Sequence, residues 1–341
     1  MRALVKLDSG PGHVELRTDW PEPEPIPGWV KVRVVGSGIC GTDLHILEGT
    51  HKNWPPVVLG HEYAGEIVAV GANVGDWNVG DRIVCEQHTG ACGICETCRK
   101  GAIHLCKEKR SPGWGIDGAF ADFMLLPASL LHKIPDSVSY RKAIMTEPTA
   151  ICITGLDRVG LRVGESVAVI GPGPIGLISA LLASSSGADR VSLFGRESSK
   201  SRLEAARALG IDSRDVSDIA NMQAQFDVVV DSTGTAMSES IELSKTMGRI
   251  VQMGITGAPL VDFPMNSAMY KALTISFAMS SEYSTWDRAL RFLAKGTFDP
   301  GPLLTPFHLT EWEAAFEAVE RRSVIKAALL PGDFSELDLS S

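Results

Sequence analysis

SVAVIGPGPIGLISALLASSS, residues 166–186, is the stretch that decides the fold. Ser166 to Ile170 is an apolar strand, Gly171-Pro172-Gly173-Pro174-Ile175-Gly176 follows, and Leu177 to Ser186 reads as a helix. A bare G-x-G-x-x-G is weak, but a strand before it and a helix after it supply the context that gives it meaning. Gly171, Gly173 and Gly176, with Pro174 and Ile175 between them, let backbone N–H groups and the helix N-terminus approach a pyrophosphate. The stretch therefore predicts a dinucleotide-binding turn in an α/β domain with a doubly wound parallel sheet.

Downstream, strand and helix textures keep alternating. Val191 to Phe194 reads as the second strand, and the position at its end, about 20 residues past the glycine motif, selects the nucleotide. An NAD site wants an acid there to accept the ribose 2′-OH bonds. Gly195 stands there instead, followed by Arg196, a cation suited to the 2′-phosphate of NADP. Lys200 and Arg202 add charge, although a helix over residues 199–209 turns one of them toward solvent. Glu197 becomes the ribose acid only if the strand runs two residues further. NADP is expected in preference to NAD, with NAD as the alternative. The units Phe226 to Asp231, Gly234 to Thr246 and Gly248 to Gly254 complete the sheet, and Leu273 to Phe277 is its last strand.

Upstream, residues 36–62 read GSGICGTDLHILEGTHKNWPPVVLGHE. Cys40 with His45, and then His61 with Glu62, place a thiolate, imidazoles and a carboxylate in one short stretch, which suits zinc with an open coordination position. Thr42 to Leu47 predicts one or two helical turns, with Thr42 near the N-cap and His45 on the same face. Around this stretch, Ala3 to Leu7, Val14 to Leu16, Trp29 to Val35 and the glycine-broken run from Tyr63 to Val84 read as short strands of a small antiparallel barrel. Cys92, Cys95, Cys98 and Cys106 follow at C-x2-C-x2-C-x7-C, a spacing that closes a tetrahedral, structural kind of zinc site. Cys85 and Cys152 fall outside the pattern and read as buried small side chains.

G-x-C-G-T-D-x-H followed by G-H-E resembles the zinc-dependent medium-chain alcohol dehydrogenases, in particular their polyol, sugar and threonine dehydrogenase branch. The resemblance covers nearly the whole chain. It implies a GroES-like antiparallel β-barrel catalytic domain over residues 1–150, with a structural zinc lobe at 85–110, a Rossmann dinucleotide-binding domain over 151–287, and a return to the catalytic domain over 288–341. It implies two Zn2+ per subunit: one on Cys92, Cys95, Cys98 and Cys106, and a catalytic one on Cys40 and His61. Glu62 and Glu147 match the residues that complete the second site, in an order the sequence leaves open. Asp43 matches an acid that orients the zinc-bound histidine. Thr42 and His45 match a relay that carries the alcohol proton to solvent. A homodimer or homotetramer is implied by analogy, through the sheet edge at Leu273 to Phe277.

The implied activity is hydride transfer between a secondary hydroxyl of a polyol or sugar, or the matching ketose, and NADP(H). The alternatives are L-threonine 3-dehydrogenase and a simple secondary-alcohol or butanediol dehydrogenase using NAD. A catalytically silent nucleotide-binding protein, or a zinc-free reductase, would be expected to have lost metal ligands, and every one is kept. Trp54 and Trp114 either line the substrate pocket or pack in the core. His51, His88, His104, His132 and His308 have no motif support.

Composition agrees and excludes other classes. At 341 residues the chain is too long for one ordinary core. A net charge of -9 leaves nothing basic and continuous to meet nucleic acid or an anionic membrane. The start MRALVKLDSGPG has no apolar signal segment, and no run reaches the eighteen or so apolar residues of a membrane span. A cytoplasmic enzyme whose partners are small molecules and its own copies is expected.

Overall fold

The computed structural model describes residues 1–255 and 262–340. The chain divides into one unit formed by Met1–Glu147 with Glu282–Ser341, and a second formed by Pro148–Ser281. The first unit contains β1 (Ala3–Lys6), β2 (Val14–Arg17), β3 (Trp29–Gly38), β4 (Val57–Val58), β5 (Glu62–Val70), β6 (Arg82–Cys85), β7 (Phe123–Pro127) and β8 (Leu131–Lys133). β1 pairs with β2 and β4, β3 with β5 and β7, β5 with β6, and β6 with β8, all antiparallel. β3 shows why the sequence folds this way. Val30, Val32 and Val34 enter a core with Ile67, Ile83, Met124 and Leu126. The alternate Lys31 and Arg33 donate to Glu22 at 2.6 Å and to Glu336 at 2.7 Å. The valines and the two cations therefore leave the strand on opposite faces, the period of two of a β-strand.

The second unit is a single parallel sheet. β9 (Ser166–Ile170), β10 (Arg190–Gly195), β11 (Asp212–Asp215), β12 (Phe226–Asp231), β13 (Ser244–Gln252) and β14 (Thr274–Phe277) lie in the order β11-β10-β9-β12-β13-β14. Every residue of β9 is buried, as befits a strand covered on both faces. From β9 the chain steps one way to β10 and β11, then returns to lay β12 on the other side. Ligands of open parallel sheets bind beyond the strands' C-terminal ends at such a switch point. The turn 171–176 occupies that place, and the helix Pro174–Ser185 starts from it. The Gly234 to Thr246 unit divides: the helix is only Met237–Leu243, and β13 begins at Ser244, which pairs with Phe226. Ser244 Oγ also donates to Ser240 O at 2.7 Å, tying the end of the helix to the start of the strand.

β15 (Leu304–His308) and β16 (Lys326–Leu330) belong to the first unit; they are parallel to each other, and β16 joins β3 antiparallel. The sheet is thus mixed at this end, because the helix Trp312–Glu320 makes the crossover that a parallel pair needs. Among the described residues no helix is long and apolar enough to cross a membrane.

Candidate active site and metal centres

Core packing holds the segments that build the first centre. Ile39, Ile46 and Leu59 pack with Phe120, Phe316 and Leu329, which fixes Cys40, the helix Gly41–Leu47 and the His61-Glu62 pair at the start of β5. Ligand atoms of Cys40, His61 and Glu62 all lie within 4.8 Å of one another. A thiolate, an imidazole and a carboxylate at that spacing suit zinc and leave a fourth position open. Asp43 is wholly buried behind them. Its Oδ2 accepts from the Cys40 N–H at 2.8 Å, and its Oδ1 lies 3.4 Å from His61 Nδ1. That contact leaves His61 Nε2 for a metal, the usual arrangement around a ligating histidine. Burial alone would lower the His61 imidazole, but Asp43 and Cys40 hold it well above its ordinary value.

Cys40 is the N-cap of the helix Gly41–Leu47, with the Asp43 carboxylate reaching back to the Cys40 N–H and Thr42 in the first turn. Thr42 Oγ1 lies 3.7 Å from Cys40 Sγ. His45 is exposed, with Nδ1 3.2 Å from Glu48 Oε2. Glu147 stands in the first turn of the helix Thr146–Val159, buried but outside the 4.8 Å group. Burial, and then the charge of Glu62, push its carboxyl up to about 7. Trp114 sits edge-on to the His61 ring at 4.9 Å. Trp54 donates its backbone N–H to Trp114 O at 2.8 Å and lies under the Arg110 guanidinium.

The four cysteines of the lobe converge. Cys92 Sγ is 4.0 Å from Cys98 Sγ and 3.7 Å from Cys106 Sγ, and Cys95 Sγ is 3.9 Å from Cys106 Sγ. A tetrahedron with Zn–S bonds of about 2.3 Å has edges of about 3.8 Å, so the cage has the dimensions of a four-thiolate zinc site. These are not disulfides, whose sulfurs lie about 2 Å apart, and none of the cysteines forms one. The Thr97 hydroxyl holds the Cys95 thiol down at about 6, while burial pushes Cys98 up to about 12. Cys85 and Cys152 are buried away from both groups.

In the second unit Gly173 caps the helix that Pro174 and Ile175 open. A Cβ on Gly176 would lie 1.8 Å from Gly171 O, and one on Gly171, at φ +103, would lie 2.6 Å from Ser232 Oγ; one on Gly173 would meet nothing within 4 Å. Gly176 and Gly171 thus serve the turn itself, while Gly173 leaves space for an incoming group. β10 ends at Gly195, whose missing Cβ makes room for Pro172 at 2.7 Å. Arg196 follows at once, and Arg196, Glu197 and Lys200 are all exposed. The strand therefore does not extend to Glu197, which lies in the short 3-10 turn Glu197–Ser199.

Residues 26–136 match the alcohol dehydrogenase GroES-like domain family, and residues 174–295 the zinc-binding dehydrogenase family. The chain is 34% identical to the sorbitol dehydrogenase of Halalkalibacterium halodurans, over 98% of this chain and 100% of that one. The chain belongs to the zinc-dependent alcohol dehydrogenases. It is also 36% identical to the L-threonine 3-dehydrogenase of Streptomyces avermitilis, over 93% of this chain and 95% of that one. A putative zinc-binding dehydrogenase from Sinorhizobium meliloti 1021, solved bound to NADP, superposes with a TM-score of 0.88 at 29% identity, covering 97% of this chain and 99% of that one. A short chain alcohol dehydrogenase from E. coli CFT073, solved with NADH, has a TM-score of 0.86 at 26% identity, covering 97% and 99%.

This alcohol dehydrogenase is therefore an oxidoreductase of polyol and alcohol type, with a GroES-like domain and a Rossmann domain. Two of the residues around its first centre escaped the sequence reading. Lys326, 3% exposed on β16, has its Nζ against Glu62 Oε2; its only signal was a lysine opening an otherwise apolar strand, KAALL. Gly38 lies between them on β3, past the end of the strand read from the sequence.

Proposed function

We propose that this chain is a zinc- and NADP-dependent dehydrogenase that oxidises a secondary hydroxyl of a polyol or sugar, or reduces the matching ketose. The observation that carries the chemistry is the convergence of Cys40, His61 and Glu62 within 4.8 Å, with Asp43 behind His61. Cys40, His61 and either Glu62 or Glu147 would hold the catalytic zinc, and Cys92, Cys95, Cys98 and Cys106 a second, structural one. A zinc ion in such a site makes a bound hydroxyl more acidic and polarises a carbonyl in the reverse direction. Asp43 orients His61; Thr42 Oγ1 receives the substrate proton and exposed His45 passes it to solvent. The nicotinamide supplies the hydride chemistry that side chains lack.

Arg196 supports NADP, since it follows directly on the strand end at Gly195, where an NAD site would carry an acid. The sorbitol dehydrogenase relative, matched along its full length, supports a polyol substrate. The edge strand β14, which leaves Phe277 72% exposed, supports assembly into a dimer or tetramer. A panel of polyols, sugars, threonine and simple alcohols, each assayed with NAD and NADP, tests the reading. Turnover of a polyol or ketose with NADP at a kcat/KM at least about tenfold above every other pairing is expected; threonine with NAD as the best pair would overturn it.

A further inference from the structure

A buried ammonium group stands beside the site proposed for a metal cation. Lys326 is 3% exposed, and its Nζ pairs with Glu62 Oε2. Both members of this ion pair are buried, so little water screens it. Three strands build the contact. Gly38 of β3 partners Glu62 of β5 on one side and Ala328 of β16 on the other. A Cβ on Gly38 would lie 2.5 Å from Glu62 Oε2 and 2.9 Å from Lys326 Cε. The two charged side chains meet above a strand position with no side chain, and substituting Gly38 would push them apart.

We propose that Lys326 is a positioning residue of the catalytic centre: its ammonium restrains the Glu62 carboxylate and, by its charge, limits how tightly the centre holds zinc. The proposal rests on the zinc reading given above. Cys40, His61, Glu62 and the nearby Glu147 are enough donors to close a tetrahedral shell, and a closed shell has no place for substrate. A cation tied to one of the carboxylates opposes that closure. A unit positive charge also repels a divalent ion strongly where water is excluded. Removing it should weaken turnover and yet strengthen metal binding, and the latter is the opposite of what loss of a merely structural lysine would do.

The experiment uses the purified zinc-loaded enzyme as wild type, Lys326→Met, Lys326→Gln and Lys326→Arg. Zinc per chain is measured by elemental analysis, and its release into EDTA is followed over time. Zinc held by the four cysteines serves as the internal control and should leave at one rate in all four proteins. Lys326→Met should release the other zinc on the order of tenfold more slowly than wild type and lose kcat, with Lys326→Gln intermediate and Lys326→Arg close to wild type. Unchanged or faster release from both Lys326→Met and Lys326→Gln overturns the proposal; if Lys326→Met does not fold, Lys326→Gln against Lys326→Arg decides it alone. A wild-type chain with zinc only on the four cysteines overturns the function reading as well, and is recognised before any variant is compared.

Discussion

Replacing Gly173 and Gly176 by alanine should separate a glycine that serves the ligand from one that serves the fold. At Gly173 the backbone is extended, φ -77 and ψ 178, which alanine adopts without strain, and its Cβ meets nothing within 4 Å. Alanine is a poorer N-cap than glycine but restricts the unfolded chain, so the two effects largely offset and stability should change by less than about 1 kcal/mol. The new methyl occupies space that a pyrophosphate would otherwise approach. Gly173→Ala should therefore keep its Tm within about 4 °C and weaken cofactor binding on the order of tenfold or more.

Gly176→Ala behaves differently because the obstacle is backbone. Its Cβ would lie 1.8 Å from Gly171 O and 2.9 Å from Ser232 Oγ, far inside van der Waals contact, and Ser232 Oγ already donates to Ile170 O at 2.8 Å. Nothing there is the free end of a flexible side chain, so the turn itself must open. Overpacking of this kind costs about 1–3 kcal/mol, at the upper end where backbone must move, or about 4–10 °C in Tm. Thermal melts with and without NADPH, together with NADPH titration, read both quantities. Wild-type cofactor affinity in Gly173→Ala, or wild-type stability in Gly176→Ala, would refute the division of labour.

Arg196→Ala should erode the NADP preference by about tenfold or more in kcat/KM while leaving NAD turnover nearly unchanged, as steady-state assays with each nucleotide would show. Cys40→Ser or His61→Ala should abolish activity with a near-normal melt, whereas Cys98→Ser should mainly lower Tm, because it opens a closed cage that ties down the lobe. Asp227 is held at about 2 against its ordinary 3.8: burial raises it, but Lys245 and Ser166 bring it down further. The stability from this depressed group is present above pH 4 and is lost as pH falls toward 2; discounted for partial exposure it is about 1–2 kcal/mol. Asp227→Asn should lose that amount at pH 7 and flatten the acid limb of a urea-denaturation series.

What the sequence displays and what it hides divides along chain distance. The nucleotide half is legible because its parts are contiguous: β9, the turn and the helix Pro174–Ser185 lie within one run, and apolar texture marks strand and helix alike. The four-cysteine cage is legible for the same reason, since its ligands come from one short segment. The helix Gly41–Leu47 begins one residue earlier than its sequence suggests, and the Asp43 carboxylate reaching back to Cys40 at its start leaves no trace in propensity. Trp114 stayed ambiguous between pocket and core because only tertiary packing sets its ring against His61.

Lys326 shows the limit most sharply. A lysine at the head of an apolar strand reads as a solvated charge at the strand's edge, and in most strands that is what it is. Burying it costs several kcal/mol unless a carboxylate is already in place, and Glu62 becomes that partner only when β16 docks on β3 with Gly38 between them. The same long-range docking sets the first centre's charge balance, through a residue no local motif contains. If Lys326 controls how firmly Glu62 grips the metal, then the C-terminal strand is part of the catalytic centre. Family members that keep C-G-T-D-x-H and G-H-E but differ at this strand position should then differ in zinc retention while sharing every motif ligand.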